Sequence, residues 1–432
     1  MNRFLCLVLC GTLAVSACTG LERDLEKSNP PRSLNLTAKQ LEYVEAGNRF
    51  SLKYMYAVAQ QQSGSWFVSP LGVQMLLGMM LNGAEGETAE QIYEVLGYGK
   101  DELSEVNAYV KTLLEQLPEM DSWSEMDLAQ AAFINERATI HPPFKDDISD
   151  CYQADVTSLD FSKSSSIRRV NDWCNRETSG HISEILDEPL KDRKLAAFMS
   201  AGYFHGAWRE AFPRAETVRE TFYLENGRER QVPMMKISGK PFRWGSGGST
   251  EKRMQIPFGN QSLVMTIILA DRGYPLIKII DLLAYNDIIH VNLGYFDPSP
   301  NAKELQERVA YWKNLPKTLD TYEIDLWLPK FETETNIDLK AVLSDMGMPL
   351  AFLPASDYKG VSPNGGTVDA VRQKACIKVD ESGKTGLETV LPEPIYGYPV
   401  EEMPFHCTNP FVYIISEAST NLILFAGAYM GE

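Results

Sequence analysis

The sequence predicts an α+β fold on three observations. The front of the chain reads in helical periods, the later part reads in strands, and 44% hydrophobic with 10% aromatic side chains supply a large core. That composition excludes a disordered or fibrous chain. At 432 residues the chain could hold two or three domains, or one domain around a large sheet. The 58 acidic against 41 basic side chains leave a net charge of −17, which repels phosphate backbones and argues against a nucleic-acid partner.

The chain opens with Arg3, an apolar run from Phe4 to Val15, and Val15-Ser16-Ala17-Cys18. The run is short for a bilayer span and reads as an export signal. Small residues before a cysteine resemble the lipobox at which bacterial signal peptidase cuts, and there Cys18 is acylated. The alternative is an ordinary secretory signal with a chance cysteine. Both place the mature chain outside the cytoplasm, either lipid-anchored in the cell envelope or extracellular. The expected organisation is a signal over 1–17, a lipidated polar tether over 18–36, and one domain over 37–432.

Helical signals come next. Thr37-Ala38-Lys39-Gln40 has capping-box spacing, and Phe50, Tyr54, Ala57 and Val58 fall on one face. Ser69 before Pro70 predicts an N-cap and first helical position, with an apolar helix that stops near Gly83. Thr88 to Gln91 repeats the capping box and predicts a helix opening there and ending at Gly97. Ile167, Val170 and Cys174 line a further helix closed by Gly180.

Strand signals follow. Ala196 to Phe204 and Leu263 to Ala270 are too apolar to have a wet face. Ile324, Leu326 and Leu328 alternate with polar residues, as do Ala375, Ile377 and Val379, which predicts half-buried strands. Gly245-Ser246-Gly247-Gly248-Ser249 between two strand-like runs predicts a hairpin loop, and Phe411 to Ile415 with Leu422 to Tyr429 a terminal hairpin.

Chemical machinery is sparse. Cys151, Cys174, Cys376 and Cys407 are widely spaced and read as buried thiols. The five histidines, His141, His181, His205, His290 and His406, show no metal-ligand spacing. There is no GxSxG elbow and no glycine-rich phosphate loop. An enzyme, a cofactor and a metal are therefore not expected.

Several motifs in order carry a family resemblance. They are Phe67-Val68-Ser69-Pro70-Leu71, Gly83-Ala84-Glu85-Gly86-Glu87-Thr88, Asn171-Asp172-Trp173, Thr178-Ser179-Gly180 and Tyr203-Phe204-His205-Gly206-Ala207-Trp208. Val232-Pro233-Met234-Met235, Leu328-Pro329-Lys330-Phe331, Asn409-Pro410-Phe411 and Leu424-Phe425-Ala426-Gly427 complete the series. From about residue 37 to the end the chain resembles a serpin. That implies a large mixed central sheet with further sheets, helices packed around them, and an exposed reactive loop at about 381–403. It also implies a monomeric inhibitor whose partner is a serine or cysteine protease, caught when the cut loop inserts as a strand into a gap in the main sheet. A strand of about 14 residues would carry the protease some 45 Å.

The resemblance places the loop hinge at Glu381-Ser382-Gly383-Lys384-Thr385-Gly386 and the scissile bond near Tyr396, Gly397 or Tyr398. In the family register the inward face would carry Lys384 and Glu388, and burying such charges costs several kcal/mol. With Lys384 as an extra hinge residue, Thr385, Leu387, Thr389 and Leu391 point inward instead. Pro392 and Pro394 lack the N–H that a mid-sheet strand donates, so insertion is expected to stall near Leu391. The sheet-opening region is expected at Ser69, Gly72, Ser200 and Gln373, with Trp208 at the top of the sheet or simply in the core. These departures motivate a second reading, a non-inhibitory serpin-fold binding or structural surface protein.

Overall fold

The computed structural model describes residues 29–246, 250–285, 321–383 and 402–432. Thr37 caps the first helix as its spacing predicts. Its hydroxyl accepts from the Gln40 N–H at 3.2 Å, and Gln40 Oε1 accepts from the Thr37 N–H at 2.9 Å, opening α1 (Ala38–Gln61). After the short strand β1 (Trp66–Val68), Ser69 caps α2 (Pro70–Gly83), with Pro70 at its first position. The next two helices are α3 (Gly86–Leu96) and α4 (Leu103–Gln116).

Here one expectation is corrected. The α3 helix begins two residues before Thr88, and no side chain caps it. Thr88 and Gln91 serve the tertiary fold instead: Thr88 Oγ1 accepts from the Asp357 N–H at 2.9 Å and Gln91 Oε1 from the Leu350 N–H at 3.0 Å. Its end at Gly97, in the left-handed region at φ 73°, is as predicted.

The chain continues through β2 (Ser124–Asn135), α5 (Pro142–Tyr152), β3 (Asp155–Leu159), α6 (Ser165–Glu177) and β4 (Ala196–Gly206). Strands β5 (Val218–Tyr223), β6 (Glu229–Ser246), β7 (Glu251–Pro257) and β8 (Leu263–Ala270) lead to α7 (Leu276–Tyr285). The last described elements are β9 (Thr321–Pro329), β10 (Phe331–Asp338), α8 (Leu339–Asp345), β11 (Val368–Val379), β12 (Met403–His406), β13 (Phe411–Glu417) and β14 (Ile423–Tyr429). Strands β6 and β7 pair antiparallel as far as Ser246 opposite Lys252, so Gly245 and Ser246 belong to β6 and not to the predicted loop, whose residues 247–249 lie outside the described residues; β13 and β14 form the terminal hairpin, as predicted.

Two sheets organise these strands. Nine strands form the first, in the order β1-β14-β13-β8-β7-β6-β9-β12 with β5 added on β6. Five form the second, in the order β10-β11-β4-β2-β3, mixing antiparallel pairs with the parallel pairs β11–β4 and β2–β3. A large core joins the sheets to the helices. A second core lies on the other face of the five-stranded sheet, where Val170, Trp173 and Cys174 of α6 meet Met199, Tyr203 and Cys376. Strand β11 is consequently covered on both faces for most of its length, not half-buried as its alternation suggested; of its residues Lys378 alone is exposed.

The tether is the second correction. Its expected end at residue 36 is too late, because the chain is docked from Asn29 onward, with Asn29 4% and Leu34 2% exposed. Polarity suggested solvent, but the Asn29 amide is satisfied by buried partners: it donates to Asp121 Oδ1 at 2.8 Å and accepts from Asn260 Nδ2 at 3.1 Å.

Candidate functional site

Strands β11 and β4 run side by side, with Val371 opposite Phe198 and Ile377 opposite Phe204. The expected native gap is therefore not open. Parting these strands without a replacement would orphan buried backbone groups. Ala375 faces Gly202 across this seam. Any Cβ at Gly202 would come within 3.2 Å of the Phe425 ring.

Beneath the seam the structure brings together all four residues expected in the sheet-opening region. Gln373 Nε2 donates to the Ser69 carbonyl at 2.7 Å, and the Ser69 N–H donates to Gln373 Oε1 at 3.1 Å. Gln373 lies opposite Ser200, whose hydroxyl is 3.5 Å from its Nε2. Ser69 Oγ accepts from the Gly72 N–H at 3.0 Å while donating to the Leu424 carbonyl at 2.9 Å. Gly72 is needed for space: a Cβ there would lie 2.7 Å from Ser200 Oγ.

Two members of this network were not foreseen. The spacing of Tyr54 places it only on the common face of α1, yet its hydroxyl donates to Gln373 Oε1 at 3.2 Å, and full burial pushes the phenol well above its ordinary pKa. Gln130, on β2 opposite Ser200, donates to Ser200 Oγ at 3.2 Å, and its own Oε1 is buried with no partner among the described residues. No sequence pattern distinguishes a networked glutamine in a strand from an ordinary one.

The root of the loop lies above the seam. Trp208 is both a core residue and a hinge contact. It is 1% exposed, stacks on Phe258 at 4.6 Å, and holds the hinge by two bonds. Its indole N–H donates to the Asp380 carbonyl at 2.7 Å and its backbone N–H to the Ser382 carbonyl at 2.8 Å. The Ser382 N–H turns back to Asp380 Oδ1 at 2.9 Å, and His205 Nε2 lies 3.2 Å from the same oxygen. Burial alone would raise the Asp380 pKa, but the Ser382 and His205 contacts outweigh it and hold the carboxyl well below the usual range. Ile377 faces Phe204 but Gly383 faces Trp208, so six residues of the hinge run span four of the opposite chain.

Glu381, almost buried, is held by Lys330 Nζ at 2.7 Å and the Thr217 hydroxyl at 2.9 Å. Burial opposes its ionisation, yet Lys330 and Thr217 keep its pKa below the ordinary value. Gly383 packs against Ala211, where a Cβ would approach that residue's Cα to 2.7 Å. Lys330 and His205 sit in motifs that carried the family resemblance, but sequence alone assigned them no role. The hinge residues Lys384, Thr385 and Gly386, the loop residues Glu388, Pro392 and Pro394, the scissile candidates Tyr396, Gly397 and Tyr398, and Cys18 lie outside the described residues. Cys174, Cys376 and Cys407 are buried free thiols and Cys151 is half-buried.

The chain as a whole matches known proteins. The family described as Serpin (serine protease inhibitor) matches residues 45–431. Iripin-2 of Ixodes ricinus is 26% identical over 399 residues, covering 90% of this chain and 93% of that protein. Human Serpin B3 is 26% identical over 405 residues, covering 89% and 98% respectively. Among solved structures, maspin superimposes with a TM-score of 0.75 at 23% identity, covering 92% of this chain and all of that one. The native thermophilic serpin Tengpin gives 0.73 at 24% identity, covering 94% and 97%. With a closed five-stranded sheet, a pinned hinge at its top and a family match across nearly its whole length, the chain belongs to the serpins.

Proposed function

We propose that the protein traps serine or cysteine proteases as a suicide substrate, by inserting its cleaved loop between β11 and β4. The observation that carries this reading is the parallel pairing of β11 with β4, with the loop leaving directly from the end of β11. A strand turning back from β11 would run antiparallel to both neighbours. One parallel ladder is given up and two antiparallel ladders form, and antiparallel pairs are slightly more stable per residue. The closed sheet then stores the driving force for the trap. We further propose that Cys18 is acylated and that the inhibitor is membrane-anchored and monomeric.

The test mixes the protein with chymotrypsin-like and elastase-like enzymes and follows the cut by mass spectrometry. Trapping gives an SDS-stable complex and a cut near Tyr396, Gly397 or Tyr398. The second reading, a binding or structural surface protein, is favoured by Lys384, Pro392 and Pro394, which burden an inserted strand. Melting separates the two. Insertion raises the melting temperature of the cleaved form by tens of degrees, on the order expected from adding a buried strand, whereas an unchanged melt with simple cleavage supports the binding module.

A further inference from the structure

The docked segment at the front of the domain determines which end of the molecule faces its anchor. Asn29 is buried between two parts of the fold: its Nδ2 donates to Asp121, and its Oδ1 accepts from the Ser122 N–H at 3.2 Å and from Asn260 Nδ2. Asn260 also donates to the carbonyls of Pro30 at 2.9 Å and Met120 at 2.6 Å, and it is fully buried. The Arg32 N–H donates to Ser262 Oγ at 2.7 Å, and the Arg32 side chain pairs with Glu119 at 3.1 Å. These contacts fix the segment and identify the pole it occupies.

Ser122 leads into β2, whose first residue, Ser124, lies opposite Gly206 at the end of β4. Because β11 is parallel to β4, this is also the pole at which β11 ends and the loop begins. The Asn260 turn starts at Phe258, the ring that stacks on Trp208, which in turn binds the hinge carbonyls of Asp380 and Ser382. The chain thus enters its folded part at the pole from which the loop leaves.

Only residues 19–28 separate Cys18 from Asn29. Fully extended, that stretch spans at most about 40 Å. The 11 residues of β4 put the opposite pole about 36 Å further away.

Resting on the lipid anchor and the trapping reading given above, we propose that the protein stands with its loop-bearing pole toward the bilayer. Insertion of the cut loop would then carry the trapped protease toward the far pole, away from the lipid.

The test labels the acylated full-length protein at single cysteines in a Cys151→Ser background. Val218→Cys reports the loop pole, since Val218 is 44% exposed and follows Thr217, which holds Glu381. Arg193→Cys reports the far pole, just before the start of β4. Vesicles of phosphatidylethanolamine and phosphatidylglycerol carry a headgroup acceptor. The expected result is energy transfer several-fold stronger from position 218 than from position 193. Equal or reversed transfer on bound vesicles overturns the orientation and leaves the anchor standing. Absence of vesicle binding, or an unmodified Cys18 by mass spectrometry, overturns the anchor and the orientation together.

Discussion

The side chain of Gln373 and the backbone of Ser69 exchange two hydrogen bonds, the amide nitrogen to the Ser69 carbonyl at 2.7 Å and the Ser69 N–H to the amide oxygen at 3.1 Å. This reciprocal pair ties β11 to the start of α2, beneath the seam between β11 and β4. Gln373→Ala leaves the Ser69 N–H buried without its partner, while the Ser69 carbonyl keeps only the Val73 N–H at 3.1 Å, at a cost of about 1–3 kcal/mol. The expected outcome is a melting temperature lowered by several degrees and faster conversion to a form with inserted loop on mild heating, read by native gel. A variant that melts like the parent would show that the pair does not hold the seam.

Gly72→Ala tests the same network through space alone. The added methyl meets Ser200 Oγ at 2.7 Å, Ser69 Oγ at 3.1 Å and Gln373 Nε2 at 3.2 Å. Because these atoms are already committed to one another, relief requires the network to shift, and a loss of about 1–3 kcal/mol is expected in urea unfolding.

At the hinge, Lys330→Ala leaves Glu381 with Thr217 as its remaining side-chain partner in the observed set. The lysine end is partly in water, so the loss is about 1–2 kcal/mol, below the cost for a fully buried pair. Faster cutting at Glu381 by a glutamate-specific protease is the expected readout. Asp380 and Glu381 both have pKa values below the ordinary range, so their contribution is present above the usual carboxylate range and is lost as pH falls through their folded values. Hinge cutting by an acid-active protease should accordingly accelerate below about pH 4.

Asp127 gives a dependence of the opposite sign. It lies on β2 opposite Tyr203, and its Oδ2 is buried with no hydrogen-bond partner among the described residues. Burial first, and Glu125 second, push its pKa up to about 6. A raised carboxyl favours folding below the unfolded value and loses that contribution as pH rises through about 6. Asp127→Asn should therefore gain on the order of 1–2 kcal/mol at pH 7.5, after allowance for its partial exposure, and nothing near pH 4. Equal gains at both pH values would refute the assignment.

Local signals were legible wherever a side chain acts on its own backbone. Thr37, Ser69 and Gly97 mark helix ends in the sequence because the contacts involved span a few residues. Thr88 and Gln91 carry the same spacing and mark nothing, since residues some 260 positions away claim their side chains. The polar segment before residue 37 read as a tether for a similar reason: nothing local shows that Asn260 waits to bury Asn29. In the candidate site, Ser69, Gly72, Ser200 and Gln373 were found through the family resemblance, whereas Tyr54 depends on how α1 packs against β11 and Gln130 on which strands become neighbours. A gap in the sheet was expected from what the trap must do, but the pairing of β11 with β4 shows that the resting state satisfies its backbone first.

The offset between the Ile377–Phe204 and Gly383–Trp208 pairings has a mechanical result. Two surplus residues at the loop root, once straightened, lengthen its reach by about 7 Å before any rung between β11 and β4 must break. On the trapping reading proposed above, a protease draws out and seats the bait against a sheet that is still whole, so that recognition and the irreversible rearrangement become separate steps, each open to its own rate.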